Sequence, residues 1–265
     1  MPELPDVEVF RRYLDKTALH QTIEKVEVFA QDILDEVSPK RLQSQTEGCQ
    51  LDFTDRRGKY LFTRISDDGW LVFHFGMTGY FSYFKDSKQA PKHTRVLFSF
   101  ENGHHLAFVL QRKLGSISAT QDMDSFVKRQ GLGPDALDKN FDVEAFKKAL
   151  KETKSSIKSA LMDQERIAGI GNIYSDEILF QARLNPKARA NQMSNQDLDR
   201  LFQAMKEVLK TAIDSEADPE KMPEHYLLPH RGKGARCPAC HGEIDETKVS
   251  GRSAYFCPGC QSHQG

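Results

Sequence analysis

Pro2 and Glu3 follow Met1, and together they offer a nucleophile and a proton-transfer group at adjacent positions. Methionine ahead of a residue as small as proline is commonly removed, which would leave Pro2 with a free secondary amine. An α-amino group titrates near ~8, against ~10.4 for lysine, so a useful fraction is unprotonated at neutral pH. Attack by such an amine on a sugar C1′ gives an iminium ion, an electron sink that acidifies the C2′ proton and favours β-elimination of the 3′ phosphate. Glu3 reaches the same centre as a general acid or base. The plainer reading is that Pro2 only governs methionine processing, while Pro5 and Asp6 begin a helix.

A second set of reactive side chains lies at the other end. Cys237, Cys240, Cys257 and Cys260 form two Cys-x-x-Cys pairs separated by 16 residues. Each pair supplies two thiolates from one tight turn, and the spacing falls in the range of a tetrahedral zinc site. Two disulfides are the competing reading, disfavoured in a reducing compartment. Cys49 stands apart and reads as a small core residue. The chain of 265 residues is cytoplasmic by default, since no apolar run approaches the length of a bilayer crossing and no secretory pattern leads it. With 37 Lys+Arg against 38 Asp+Glu, the net charge of −1 neither proposes nor vetoes an acidic partner. A monomer is the simplest expectation.

The elements that must hold these residues are legible as two kinds of pattern. Val7, Phe10, Tyr13 and Leu14 share one face of a short leading helix. Alternating or aromatic stretches follow at Lys25–Phe29, Gln50–Thr54, Lys59–Ile65, Trp70–Phe75, Arg95–Phe100 and His105–Leu110, with the Asn-Gly of Asn102 and Gly103 as a hairpin signal. Residues 1–125 therefore read as a β-sandwich with a leading helix. Residues 126–140, with the Gly131–Leu137 stretch, read as a linker. Helical patterns occupy residues 141–224, including a Ser194-x-x-Asp197 capping signal ahead of Leu198, Leu201, Phe202, Met205, Val208 and Leu209. Residues 225–265 hold the cysteines and too little apolar content to fold without metal. The expected class is α+β multidomain. Gly169 and Gly171 permit a tight turn, and the helix that follows from Asn172 or Ile173 directs free N–H groups outward as an anion site for a phosphate.

Five landmarks now converge: "MPELPDVE" at the start, "RRGKY" from Arg56, "HFGMTG" from His74, "LMD…GIGNIYSDE" from Leu161 to Glu177, and "GRSAYFCPGCQ" from Gly251. In that order and over nearly the full length, the chain resembles the formamidopyrimidine-DNA glycosylase and endonuclease VIII family. The resemblance implies a bifunctional DNA glycosylase and AP lyase acting on oxidised bases in damaged double-stranded DNA. It also implies an N-terminal β-sandwich, a helix-two-turn-helix element and a zinc ribbon with one structural Zn2+. Carried over by position, Pro2 would be the nucleophile, Glu3 its proton-transfer partner, and Lys59 and Arg252 groups that contact phosphate and assist the chemistry. Asp6 stands where the family usually has glutamate and would keep a supporting role. Lys158, Asn172 and His74 would join the DNA contacts.

An everted nucleotide leaves a hole in the duplex that something must fill. By resemblance the fillers are Met77, Arg112 and Leu114, two apolar wedges and a cation able to pair with the orphaned base. Leu114 replaces the family's usual phenylalanine, and Leu110-Gln111 replaces a familiar Asp-Pro, so this loop is expected to differ in shape. The alternative for Met77 and Leu114 is burial in the sandwich. Between Ile213 and Tyr226 the interval is too short for the long cover that family members close over 8-oxoguanine, which points to ring-opened purines or oxidised pyrimidines. Two readings from other classes compete: a non-catalytic zinc-ribbon protein that binds damaged or distorted DNA, and a transcription-type zinc-ribbon factor for which residues 1–8 have no role.

Overall fold

The computed structural model describes residues 1–65 and 69–261, without the side chain of Ser87. The chain divides into two compact units, the first comprising Met1–Pro2 and Asp6–Gln130, the second Glu3–Pro5 and everything from Gly131. The division falls inside the stretch expected as a linker, but part of that stretch is helical. Residues 3–5 cluster with the second unit although they lie at the start of the chain. The helical part and the cysteine ribbon, expected as separate domains, form one unit.

The first unit contains, in chain order, α1 (Leu4–Thr17), β1 (Ile23–Val28), β2 (Leu34–Asp35), α2 (Pro39–Thr46), β3 (Leu51–Arg57), β4 (Tyr60–Ile65), β5 (Gly69–His74), β6 (Tyr80–Phe84), β7 (Thr94–Phe100), β8 (His105–Val109), β9 (Ser116–Thr120) and α3 (Met123–Arg129). A four-stranded sheet in the order β1-β7-β8-β6 faces a five-stranded sheet in the order β2-β9-β5-β4-β3. Inward residues of both sheets, among them Phe73, Phe75, Phe81, Phe98 and Phe108, make the core. Their rings meet edge-on at 5.0–6.4 Å, the arrangement that the ring quadrupole favours. On the outer face of the five-stranded sheet, Phe126 of α3 seals Phe62 and Val72, so strands β4 and β5 are covered on both sides. That is why "LFTRI" and "WLVF" read as apolar runs rather than clean alternation.

In the second unit come α4 (Val143–Lys151), α5 (Ile157–Met162), α6 (Asn172–Gln181), α7 (Asn195–Asp214), β10 (Asp245–Val249) and β11 (Arg252–Phe256). Each of α4, α5 and α7 starts on a side-chain cap, Asp142, Ser156 and Ser194 accepting from a backbone N–H three residues on. Helix α6 is buried almost all round, its Ser175, Asp176 and Glu177 included, and is walled by α5, α7 and β11. After α7, Glu216 and Ala217 turn the chain through left-handed backbone, and Met222, Tyr226 and Leu228 then pack into the helical core. The segment thus runs as packed structure. Among the described residues no helix is long and apolar enough to cross a membrane.

Candidate nucleic-acid interface and catalytic residues

In the second unit, Glu3 is the anion that the head of α6 holds. Its carboxylate accepts from the backbone N–H groups of Gly171 at 2.7 Å, Ile173 at 2.8 Å and Tyr174 at 3.2 Å. The sequence reading places a phosphate there; the N–H groups are instead spent on the chain's own carboxylate, which fits the same electrostatics. The two glycines make this possible. A Cβ on Gly171 would lie 2.5 Å from the Glu3 Oε1 atom, and one on Gly169, whose φ is +112°, would lie 2.6 Å from Leu4. Leu4 donates its N–H to the Gly169 carbonyl at 3.0 Å, and Gln164 braces the turn by accepting from Gly169 N and donating to the carbonyls of Met162 and Ile170.

Lys158 also differs from expectation. It is fully buried, and its ammonium donates to the Asn172 carbonyl at 3.0 Å, the Ser175 hydroxyl at 2.8 Å and Asp176 Oδ1 at 2.6 Å. All three protons are committed, so this structure does not offer them to a phosphate. Burial pulls the Lys158 pKa below the usual lysine range, with the Asp176 charge opposing that shift. Asp176 Oδ2 accepts two bonds from Arg231, at 2.8 and 3.0 Å, and the Arg231 guanidinium lies 4.5 Å above the Tyr255 ring of β11. One buried carboxylate therefore ties α5, α6 and the ribbon together. Replacing Asp176 with alanine strands two cations, and is expected to cost the second unit about 3–5 kcal/mol in urea unfolding. A loss under about 1 kcal/mol would show that the network carries little stability.

Asn172 is the first residue of α6, and its Oδ1 atom is buried without a partner. Arg252 is exposed at the tip of the β10–β11 hairpin, whose two-residue turn, Ser250 and Gly251, lies at φ +48° and +78°. The tip rests on α5, with Ser250 and Ser159 hydroxyls 2.7 Å apart and an Arg252 nitrogen 3.7 Å from Met162 Sδ.

The four cysteine sulfurs converge. All lie within 4.8 Å of one another, with Cys237–Cys260 at 3.8 Å and Cys240–Cys257 at 3.5 Å. A tetrahedral ion with metal–sulfur bonds of about 2.3 Å places its sulfurs about 3.8 Å apart, whereas a disulfide needs about 2.05 Å. The donor set fits a metal ion and not two disulfides. Behind it, Phe180, Leu227 and Ile244 form a small apolar patch with Cys237 and Cys257.

The residues of the first unit fall into two groups. Lys59 lies in the two-residue turn between Arg57 and Tyr60 and is only 8% exposed, so it is not a freely solvated turn lysine. His74 ends β5 against the Tyr60 ring at 4.9 Å; burial first, and then the Lys59 charge, lowers its pKa and favours the neutral ring. Asp6 sits in the first turn of α1, where the helix dipole favours a carboxylate. Met77 and Leu114, by contrast, are 40% and 53% exposed, which overturns the buried alternative. Arg112 joins them: its N–H donates to the Thr78 hydroxyl at 3.3 Å, and a Cβ on Gly76 would meet the backbone of Leu114 and Gly115 at 2.5 Å. The two loops are thus in contact and present all three side chains together.

Two functional-looking groups escape the sequence reading. Glu177 is buried and accepts from Gln181, Leu227 N at 3.1 Å and Leu228 N at 2.7 Å, yet burial outweighs these bonds and pushes its pKa to about 7. Asp176 is the other. A signal for both exists: two adjacent acids, Asp176 and Glu177, followed directly by the apolar run Ile178, Leu179 and Phe180. The folded Glu177 takes up its proton near pH 7 and an unfolded glutamate near 4.5, so stability falls as pH rises through that window. The stability difference between the native protein and Glu177→Gln should therefore favour the native chain by about 3 kcal/mol more at pH 4.5 than at pH 8. A difference independent of pH in urea titrations would contradict this.

A β-sandwich and a helical unit closed by a four-thiolate ribbon, with a glutamate at position 3 capping the helix after Gly-Ile-Gly, define a narrow class of protein. The model of the formamidopyrimidine-DNA glycosylase N-terminal domain matches residues 1–117, and that of the formamidopyrimidine-DNA glycosylase H2TH domain matches residues 132–222. The chain is 34% identical to the formamidopyrimidine-DNA glycosylase of Desulforamulus reducens, covering 98% of this chain and 99% of that one. It is also 34% identical to the Synechocystis protein of the same name, over 98% of each. Among solved structures, MutM in complex with DNA containing carbocyclic 8-oxo-G is similar with a TM-score of 0.91 at 31% identity, over 99% of this chain and all of that one. Lactococcus lactis Fpg bound to DNA containing N7-benzyl-Fapy-dG gives 0.90 at 29%, again over 99% of this chain and all of that one. The chain belongs to the formamidopyrimidine-DNA glycosylase family.

Proposed function

We propose that this protein is a DNA repair glycosylase with AP lyase activity, removing oxidised bases from duplex DNA through a covalent adduct at Pro2. The observation that carries the reading is the Glu3 carboxylate, fixed by three N–H groups at the head of α6 one residue after the candidate nucleophile. The Pro2 nitrogen adds its lone pair to C1′, and the C1′–N bond to the damaged base breaks with its electrons leaving on the base, which takes a proton. Opening of the sugar, with a proton delivered to O4′, gives the iminium. Loss of the C2′ proton to a base then expels the 3′ phosphate, and water returns Pro2 as a free amine. Glu3 is the group placed to carry protons in these steps. In the second unit Arg252 would contact a phosphate and Asn172 the DNA backbone; in the first, Lys59 and His74 would contact DNA, and Met77, Arg112 and Leu114 would fill the vacated space. Zn2+ is the ion suited to four thiolates, and it folds the ribbon that carries Arg252. With Met222 and Tyr226 packed into the core, the segment after α7 is too short to cover a base, which favours ring-opened purines and oxidised pyrimidines as substrates.

The test uses native protein with abasic duplex and borohydride. Reduction should freeze a one-to-one covalent complex, and without borohydride the strand should be cut. Protein that binds the duplex but neither cuts nor traps would overturn the catalytic reading and leave a damage-binding protein.

A further inference from the structure

Six large apolar side chains are strongly exposed among the described residues, and four of them gather at one end of the sandwich: Phe29 at 59%, Met77 at 40%, Tyr80 at 41% and Leu114 at 53%. Met77 and Leu114 belong to the wedge already described. Phe29 and Tyr80 do not.

Two tethers place Phe29 beside the wedge. Its N–H donates to the Arg95 carbonyl at 2.8 Å, and the Arg95 guanidinium in turn donates to the Leu110 carbonyl at 2.8 Å, at the stem of the loop carrying Arg112 and Leu114. Three residues further on, Asp32 pairs with Lys113 at 2.8 Å, between those same two residues. Tyr80 sits at the other side. It opens β6 three residues after Met77 and pairs with Val109, the last residue of β8 before the loop. Since the sheet runs β1-β7-β8-β6, Phe29 follows one edge strand and Tyr80 begins the other.

We propose that Phe29 and Tyr80 are DNA-contacting side chains that flank the wedge, packing on deoxyribose rings and base edges to either side of the everted nucleotide. The inference rests on the DNA-processing reading above. Duplex DNA is the occupant because the stretch between the two rings carries cations: Arg95 and Arg112, and Lys92 next to His93, whose carbonyl accepts from Leu110 N, while Asp32 beside the loop is paired with Lys113. The dimensions agree as well. Three strand spacings of about 4.8 Å separate the two edges, roughly 14 Å, which matches about four base steps at 3.4 Å. An exposed aromatic ring next to a cation holds unstacked bases without reading their sequence, and an everted nucleotide opens the stack at the site the wedge fills.

Apolar contacts release no counterions, and this separates them from phosphate contacts. Phe29→Ala and Tyr80→Ala should each weaken binding to a duplex containing a stable abasic analogue by roughly fivefold to tenfold, with the slope of affinity against salt unchanged. Phe29→Trp should keep native affinity and, against the single native Trp70, show fluorescence quenched on adding the duplex. Both side chains project from the surface, so thermal unfolding should not shift. Native affinity in both alanine variants, together with unquenched fluorescence from the Phe29→Trp variant, would overturn the proposal while leaving the glycosylase reading intact. Failure of the native protein to bind the duplex at all would overturn both.

Discussion

Protein whose first residue is Pro2 should form the borohydride-stable adduct and cut abasic DNA, and Pro2→Gly or a retained Met1 should abolish both. The chemistry needs an amine nitrogen with a free, unprotonated lone pair, held where the Pro2 ring holds it. Glycine keeps a terminal amine but makes it primary and unconstrained, and retained methionine converts the Pro2 nitrogen to an amide, whose lone pair is delocalised. The expected loss with retained Met1 is complete within detection. Glu3→Gln provides the contrast. A glutamine still offers one oxygen to the Gly171, Ile173 and Tyr174 N–H groups but cannot exchange a proton, so base release should fall by roughly 10²–10⁴-fold. Gel-shift affinity for the abasic duplex should change far less in both variants. Equal loss of binding and cleavage would mean that Pro2 and Glu3 act on the fold and not on the sugar.

The second large effect is expected from removing the metal. The buried apolar patch behind the thiols is five residues, of which Phe180 belongs to α6 and Cys237 and Cys257 are themselves candidate ligands. What remains is too small to pay for ordering some forty residues, so a strong chelator should unfold the ribbon and eliminate DNA binding. The first unit has its own core and needs no ion. Trp70, the only tryptophan, belongs to β5 of that unit, so its fluorescence should be unchanged by the chelator while affinity is lost. Adding zinc should restore binding at one ion per chain. Retained DNA affinity in protein proven free of metal would refute the role given to the ribbon.

Much of this architecture is legible in side-chain order. The hairpins at Arg57–Tyr60 and around Asn102, the capped helix from Asn195 and the convergence of four thiols each depend on local spacing, and local spacing is what a sequence displays. Short elements held by distant partners are not legible. Strand β2 is two residues paired to β9 across more than eighty positions, and β6 is an edge strand defined by its neighbour β8. Among site residues, the glycine turn is visible, but its occupant is not: nothing in "GIGNIY" says that the anion comes from residue 3. The burial of Lys158 is not legible for a similar reason, because its carboxylate partner Asp176 lies eighteen residues away. Exposure of Met77 and Leu114 is undecidable from pattern, since wedge and core ask for the same side chains.

The grip of α6 on Glu3 sets an order of events during synthesis. Residue 3 is made before the N–H groups that seat it, which belong to residues about 170 positions later, a wait of roughly ten to thirty seconds at common elongation rates. Throughout that interval Glu3 lacks its seat, while Val7 and Leu14 of α1 belong to a core whose residues all lie before position 130. A truncated half-product, lacking that seat, would carry the amine without the means to aim it.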